Sequence, residues 1–117
     1  MRDNGASRAK LESLGGGRFR VSGVLDASTA REVLEQSESR FAQSTEMGKE
    51  IHVDLGGVGE SDSAGLALLI EWLRAARQAG QVIRFANVPA QIDALARISE
   101  VEELIGGEKK TEKKEPA

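Results

Sequence analysis

From Lys10 to Val21 the chain alternates apolar and polar residues in two short runs, Lys10–Leu14 and Arg18–Val21, divided by Gly15, Gly16 and Gly17. Period-two alternation predicts strands, and the three glycines predict a hairpin turn that uses positive φ values. In the second run Phe19 and Val21 share one face, and Arg18 and Arg20 the other. After Gly23-Val24-Leu25-Asp26 the period changes. Ala30, Val33, Leu34, Ser37 and Phe41 fall on one side of a helix. Thr29 with Glu32 fits a capping box for its start, and Asp26 and Ser28 are competing caps. Glu50–Leu55 alternates again, with Ile51, Val53 and Leu55 on one face and His52 and Asp54 on the other. Gly56-Gly57-Val58-Gly59 reads as the break that ends this strand. A helix then runs from about Ser63 to Ala79 and stops at Gly80. Val82–Phe85 is a further strand. Asn87-Val88-Pro89 opens a helix whose apolar side is Ile92, Leu95, Ala96 and Ile98, and Val101, Leu104 and Ile105 close the pattern as a short helix.

The predicted order, β-β-α-β-α-β-α-α, places parallel strands on either side of helices and an antiparallel pair at the start. The expected fold class is α/β, a four- or five-stranded mixed sheet with helices mainly on one face. Residues 10–105 form the expected domain. Residues 1–9 are polar and small, and residues 106–117 hold no large apolar side chain, so both ends read as flexible, the second as a disordered charged tail.

Composition narrows the chemistry. The 117 residues include 16 Lys plus Arg and 19 Asp plus Glu, a net charge of −3. That balance divides into −4 for residues 1–107 and +1 for the tail. It argues against nucleic-acid binding through bulk positive charge. With no cysteine, disulfides, thiolate metal sites and cysteine nucleophiles are excluded. One histidine, His52, rules out a multi-histidine metal site. Ser63 and His52 would be the members of any nucleophile–base pair, and no motif places them together. No apolar run approaches the ~20 residues of a membrane span. The glycines at 56–59 lack the Lys-Ser/Thr ending of a P-loop. Catalytic, metal and cofactor residues are expected to be absent.

The most informative run is Val53-Asp54-Leu55-Gly56-Gly57-Val58-Gly59-Glu60-Ser61-Asp62-Ser63-Ala64-Gly65-Leu66. It reads as strand, glycine loop and helix N-terminus. Ser61, Asp62 and Ser63 are all good caps, and Ala64 and Gly65 leave the first turn open to something approaching its N–H groups. By spacing alone, a capped helix start is the plain alternative.

Asp54-Leu55-x-x-Val58 followed by Asp62-Ser63-Ala64-Gly65-Leu66 resembles the signature of STAS domains, the fold of bacterial anti-sigma-factor antagonists. The likeness extends to Gly23-x-Leu25-Asp26 and Asn87-Val88-Pro89, and spans roughly residues 10–105. In the regulatory branch the residue before the motif glycine is phosphorylated by a partner kinase. Here it is Ala64, which has no hydroxyl, and Ser63 lies one position earlier. Asp62–Leu69 with Glu71-Trp72-Leu73-Arg74, and Val88-Pro89-Ala90-Gln91-Ile92 with Leu95-Ala96-Arg97-Ile98-Ser99, resemble instead the STAS subunit of the Mla-type phospholipid ABC transporter of Gram-negative bacteria. That resemblance implies a non-enzymatic cytoplasmic protein without cofactors. It would be peripheral to the inner membrane, docked on an MlaF-like ATPase and supporting assembly and activity of the complex. It implies a partner surface at Asp62, Ser63, Ala64 and Gly65. The alternative is an antagonist that binds an anti-sigma kinase without the phosphorylation switch.

At 100° per residue, Leu66, Leu69, Ile70 and Leu73 make one apolar stripe on the motif helix, and Leu68, Trp72, Ala75 and Ala79 make a second. The second either packs on a neighbouring helix or is an exposed anchor for the partner, with Leu68, Trp72 and Ala75 as contacts and Arg74, Arg77 and Gln78 as rim. His52 is expected to be structural, and the resemblance implies that Asp54 braces the loop that follows it.

Overall fold

The strands pair into one sheet in sequence order: β1 (Lys10–Gly15), β2 (Arg18–Leu25), β3 (Glu50–Ser61) and β4 (Val82–Ala86). The computed structural model describes residues 9–44 and 50–105. β1 and β2 are antiparallel, and β2–β3 and β3–β4 are parallel. The β1–β2 turn uses Gly15, Gly16 and Gly17 at φ of 90°, 63° and 80°, values that L side chains avoid. The expected flexible ends and the tail at 106–117 lie outside the described residues, apart from Ala9, which is buried against the core.

The helices are α1 (Ala27–Ser44), α2 (Ser63–Gln78), α3 (Ala90–Ile98) and α4 (Glu102–Ile105). Both crossovers, β2-α1-β3 and β3-α2-β4, run to the same side because such connections are right-handed and the strand order never reverses. α2 sits centrally in this layer, touching α1 on one flank and α3 and α4 on the other. Beneath the helices lie Leu11, Phe19, Val21, Leu25, Ile51, Val53, Leu55 and Ile83, all at most 8% exposed. The other face of the sheet carries no helix among the described residues. It is polar, with the register rows Arg18–His52–Arg84 and Arg20–Asp54, cross-linked by Arg84 and His52 to Glu50 at 3.3 and 3.0 Å.

Three expectations change. β3 does not end at the glycines but runs through them to Ser61, paired with β2 as far as Leu25. Glycine at 57 permits the pairing, since a Cβ there would stand 2.8 Å from the Ser22 Cβ. At the start of α1, Asp26 is the cap that forms: its Oδ1 accepts from the Ser28 and Thr29 N–H groups, while the Thr29 hydroxyl donates to the Val24 carbonyl at 2.7 Å. Ile98 is not on the buried side of α3 but 78% exposed. The helix stops there in a Schellman turn: Glu100 takes φ 61° and the Val101 N–H reaches the Ala96 carbonyl. Val101, rather than Ile98, is packed against the core.

Candidate functional site

β2 and β3 finish side by side, at Leu25 and Ser61, and each delivers an aspartate to the start of a helix. Asp62 is extended (φ −110°, ψ −161°), and its Oδ1 accepts the Ala64 N–H at 2.8 Å. Its own N–H donates to the Leu25 carbonyl, and its carbonyl accepts from the Gly65 N–H and the Ser61 hydroxyl. The Ala64 and Gly65 N–H groups that an incoming anion would need are thus engaged by Asp62 itself. Of the two readings of this run, the capped helix start is the one that forms.

The residues around this turn divide into presented and buried. Asp62, Ser63 and Ala67 are exposed, and Glu71, Arg74, Ala75 and Gln78 continue the exposed stripe along α2. The Ser63 hydroxyl makes no hydrogen bond among the described residues. Ala64 is half-buried, packed against the core. Gly65 is buried, and a Cβ there would fall on the Ser61 Oγ and 3.1 Å from the Ile92 Cδ1. Gly65 is therefore small to admit the protein's own Ser61 and Ile92.

Leu68 and Trp72 are 4% and 2% exposed, which removes them as surface anchors. The Trp72 Nε1–H donates to the Ser37 Oγ at 2.8 Å, and that hydroxyl donates to the Leu34 carbonyl at 2.7 Å. The indole lies 5.4 Å from Phe41 and 6.3 Å from Phe85, ring centre to ring centre. A helix in the middle of a layer has the sheet below and a neighbour beside it, so it buries two apolar strips. Of the second strip only Ala75 and Ala79 reach the surface.

Behind the motif, Asp54 Oδ1 accepts from the Gly56 N–H at 2.8 Å and from the Asn87 Nδ2 at 2.9 Å, with Arg20 3.8 Å from the other oxygen. The Asn87 hydrogen bond, then that of Gly56, holds the Asp54 carboxyl below the usual carboxylate range. Asp26 is lowered likewise, chiefly by the Thr29 N–H. Asp54 thus ties the middle of β3 to the residue that follows β4. His52 and Ser63 are not brought together. His52 sits on the open sheet face against Glu50, with roughly 30 Å of strand between it and the motif. No group of three metal-ligating side chains occurs among the described residues, and no helix there is long and apolar enough to cross a membrane.

Sequence reasoning missed Gln91. Its Oε1 accepts the Ser61 N–H at 3.2 Å, tying α3 to the end of β3. The only signal for it was its place in the run from Val88 to Ile92.

The family model described as "Mlab, STAS domain" matches residues 12–106. The chain belongs to the MlaB-type STAS domain family. No curated protein matches the sequence. Among solved structures, the anti-sigma factor antagonist SpoIIAA in its unphosphorylated form superposes with a TM-score of 0.63 at 14% identity, covering 83% of this chain and 84% of its own. That likeness establishes the STAS fold.

Proposed function

We propose that this STAS domain is a non-enzymatic accessory subunit that docks on the ATPase of an Mla-type phospholipid ABC transporter and supports its assembly and activity. It would be held in the cytoplasm against the inner membrane through that complex. The observation that carries this reading is Ala64. In a chain of the MlaB-type family, the position before the motif glycine offers no oxygen to phosphorylate and is packed against the core. The surface around it is then a constant docking face rather than a switched one. Its contacts are Asp62, Ser63, Ala67 and Glu71, with Arg74 and Ala75 at the rim, all exposed on one side of α2.

The test is co-purification of the full chain with the ATPase, followed by its hydrolysis rate with and without the chain. Ser63→Arg should lower the affinity more than tenfold and abolish the change in rate. Thermal unfolding should stay put, since exposed substitutions rarely move stability by more than about 0.5 kcal/mol. A wild-type chain that ignores the ATPase but binds an anti-sigma kinase would replace this reading with that of an unswitched antagonist.

A further inference from the structure

We propose that Gln91 is a positioning residue for the docking end of the molecule, standing in for a strand that β4 is too short to supply. The last β3 residue with a β4 partner is Asp54, opposite Ala86, yet β3 continues to Ser61. Successive N–H groups of a strand point to opposite sides. The Asp62 N–H is spent on Leu25, on the β2 side. The Ser61 N–H therefore faces the side that β4 has vacated, and there the Gln91 side-chain carbonyl meets it at 3.2 Å, from 30 residues further along the chain.

The first turn of α3 touches the motif a second time. Ile92, fully buried, brings its Cδ1 to 3.1 Å from where a Cβ at Gly65 would sit. One contact sets the height of Ser61, and the other sets how closely α2 lies on α3. The approach of α3 is itself fixed: Asn87, at φ 56°, donates to the Asp54 Oδ1, and Pro89 is extended just before the helix. A path of direct contacts thus runs from β4 through α3 to Ser61, Asp62 and Ser63. The effect on partner binding rests on the docking function proposed above, whereas the strut itself does not.

Full-length wild type, Gln91→Met and Gln91→Glu separate the two. Methionine keeps the length and removes the carbonyl, and glutamate keeps an acceptor. In Gln91→Met the melting midpoint should hold within about 2 °C, because the side chain is exposed. Amide exchange at Ser61, followed by NMR, should accelerate several-fold. Affinity for the ATPase should fall about three- to tenfold, the loss expected for one hydrogen bond. Gln91→Glu should restore both. Unchanged exchange at Ser61 in Gln91→Met overturns the strut. Faster exchange with undiminished affinity overturns the positioning role. If wild type does not bind the ATPase, the docking reading falls, and exchange at Ser61 alone decides whether Gln91 holds the end of β3.

Discussion

The two ends of the helical layer are built on opposite plans. Toward the starts of the parallel strands, Phe19, Phe41, Trp72 and Phe85 form a continuous run of rings, Phe19 and Phe41 4.9 Å apart and edge-on. These are all the aromatic residues in the chain. At the strand ends the side chains shrink to Gly57, Gly59, Ser61, Ser63, Ala64, Gly65 and Ala67. What holds that end is a set of hydrogen bonds accepted by the side-chain oxygens of Asp26, Asp54, Asp62 and Gln91. One end gains stability from apolar area. The other gives up area so that backbone elements can approach closely and short side chains can stand at the surface. A protein that works by presenting a helix start needs both, and keeping them apart lets the presented end vary without emptying the core.

The sharpest way to break this contrast is at Trp72. Trp72→Ala should destabilise the fold by about 3–5 kcal/mol, read from the denaturant midpoint, because it removes a buried ring and leaves the Ser37 hydroxyl without its donor. A loss below about 1 kcal/mol would mean that the aromatic end is not the stabilising one. At the small end, Gly65→Val should cost about 1–3 kcal/mol by pushing on Ser61 and Ile92, and should weaken docking beyond what the stability loss explains. If stability and docking fell in strict proportion, the two ends would not be functionally distinct. The smallest effect is electrostatic. Folding lowers the Asp54 carboxyl below its unfolded value. Its contribution is therefore complete above the unfolded value and is lost as pH falls through the folded one, below about pH 4. Asp54→Asn, which still accepts from Gly56 and Asn87, should flatten the acid limb of a stability–pH curve and leave its neutral part nearly level.

The same contrast governs what could be read from the residues alone. Periods of two and 3.6 locate every strand and helix, because burial on one face imposes them. The motif at Asp62–Gly65 was visible because caps and small residues occupy fixed offsets. What escaped depends on neighbours distant in sequence. The glycines at 56–59 look like a break until β2 is laid beside them. The strip of Leu68 and Trp72 fits a helix contact or a surface anchor equally until α1 is laid beside Trp72. Ile98 stands more than about 100° around α3 from the side of Ile92, Leu95 and Ala96, so its apolar character alone suggested burial there. Gln91 has no pattern at all: a lone polar residue on a helix start acquires its role only from the unpaired N–H that β3 brings to it.

The placement of Trp72 has an optical consequence. It is the sole indole of the chain, it is sealed against Ser37, Phe41 and Phe85, and it faces away from the exposed stripe of α2. Its emission will shift when the fold opens and stay silent when a partner lands on Ser63, so one spectrum monitors integrity throughout any binding titration.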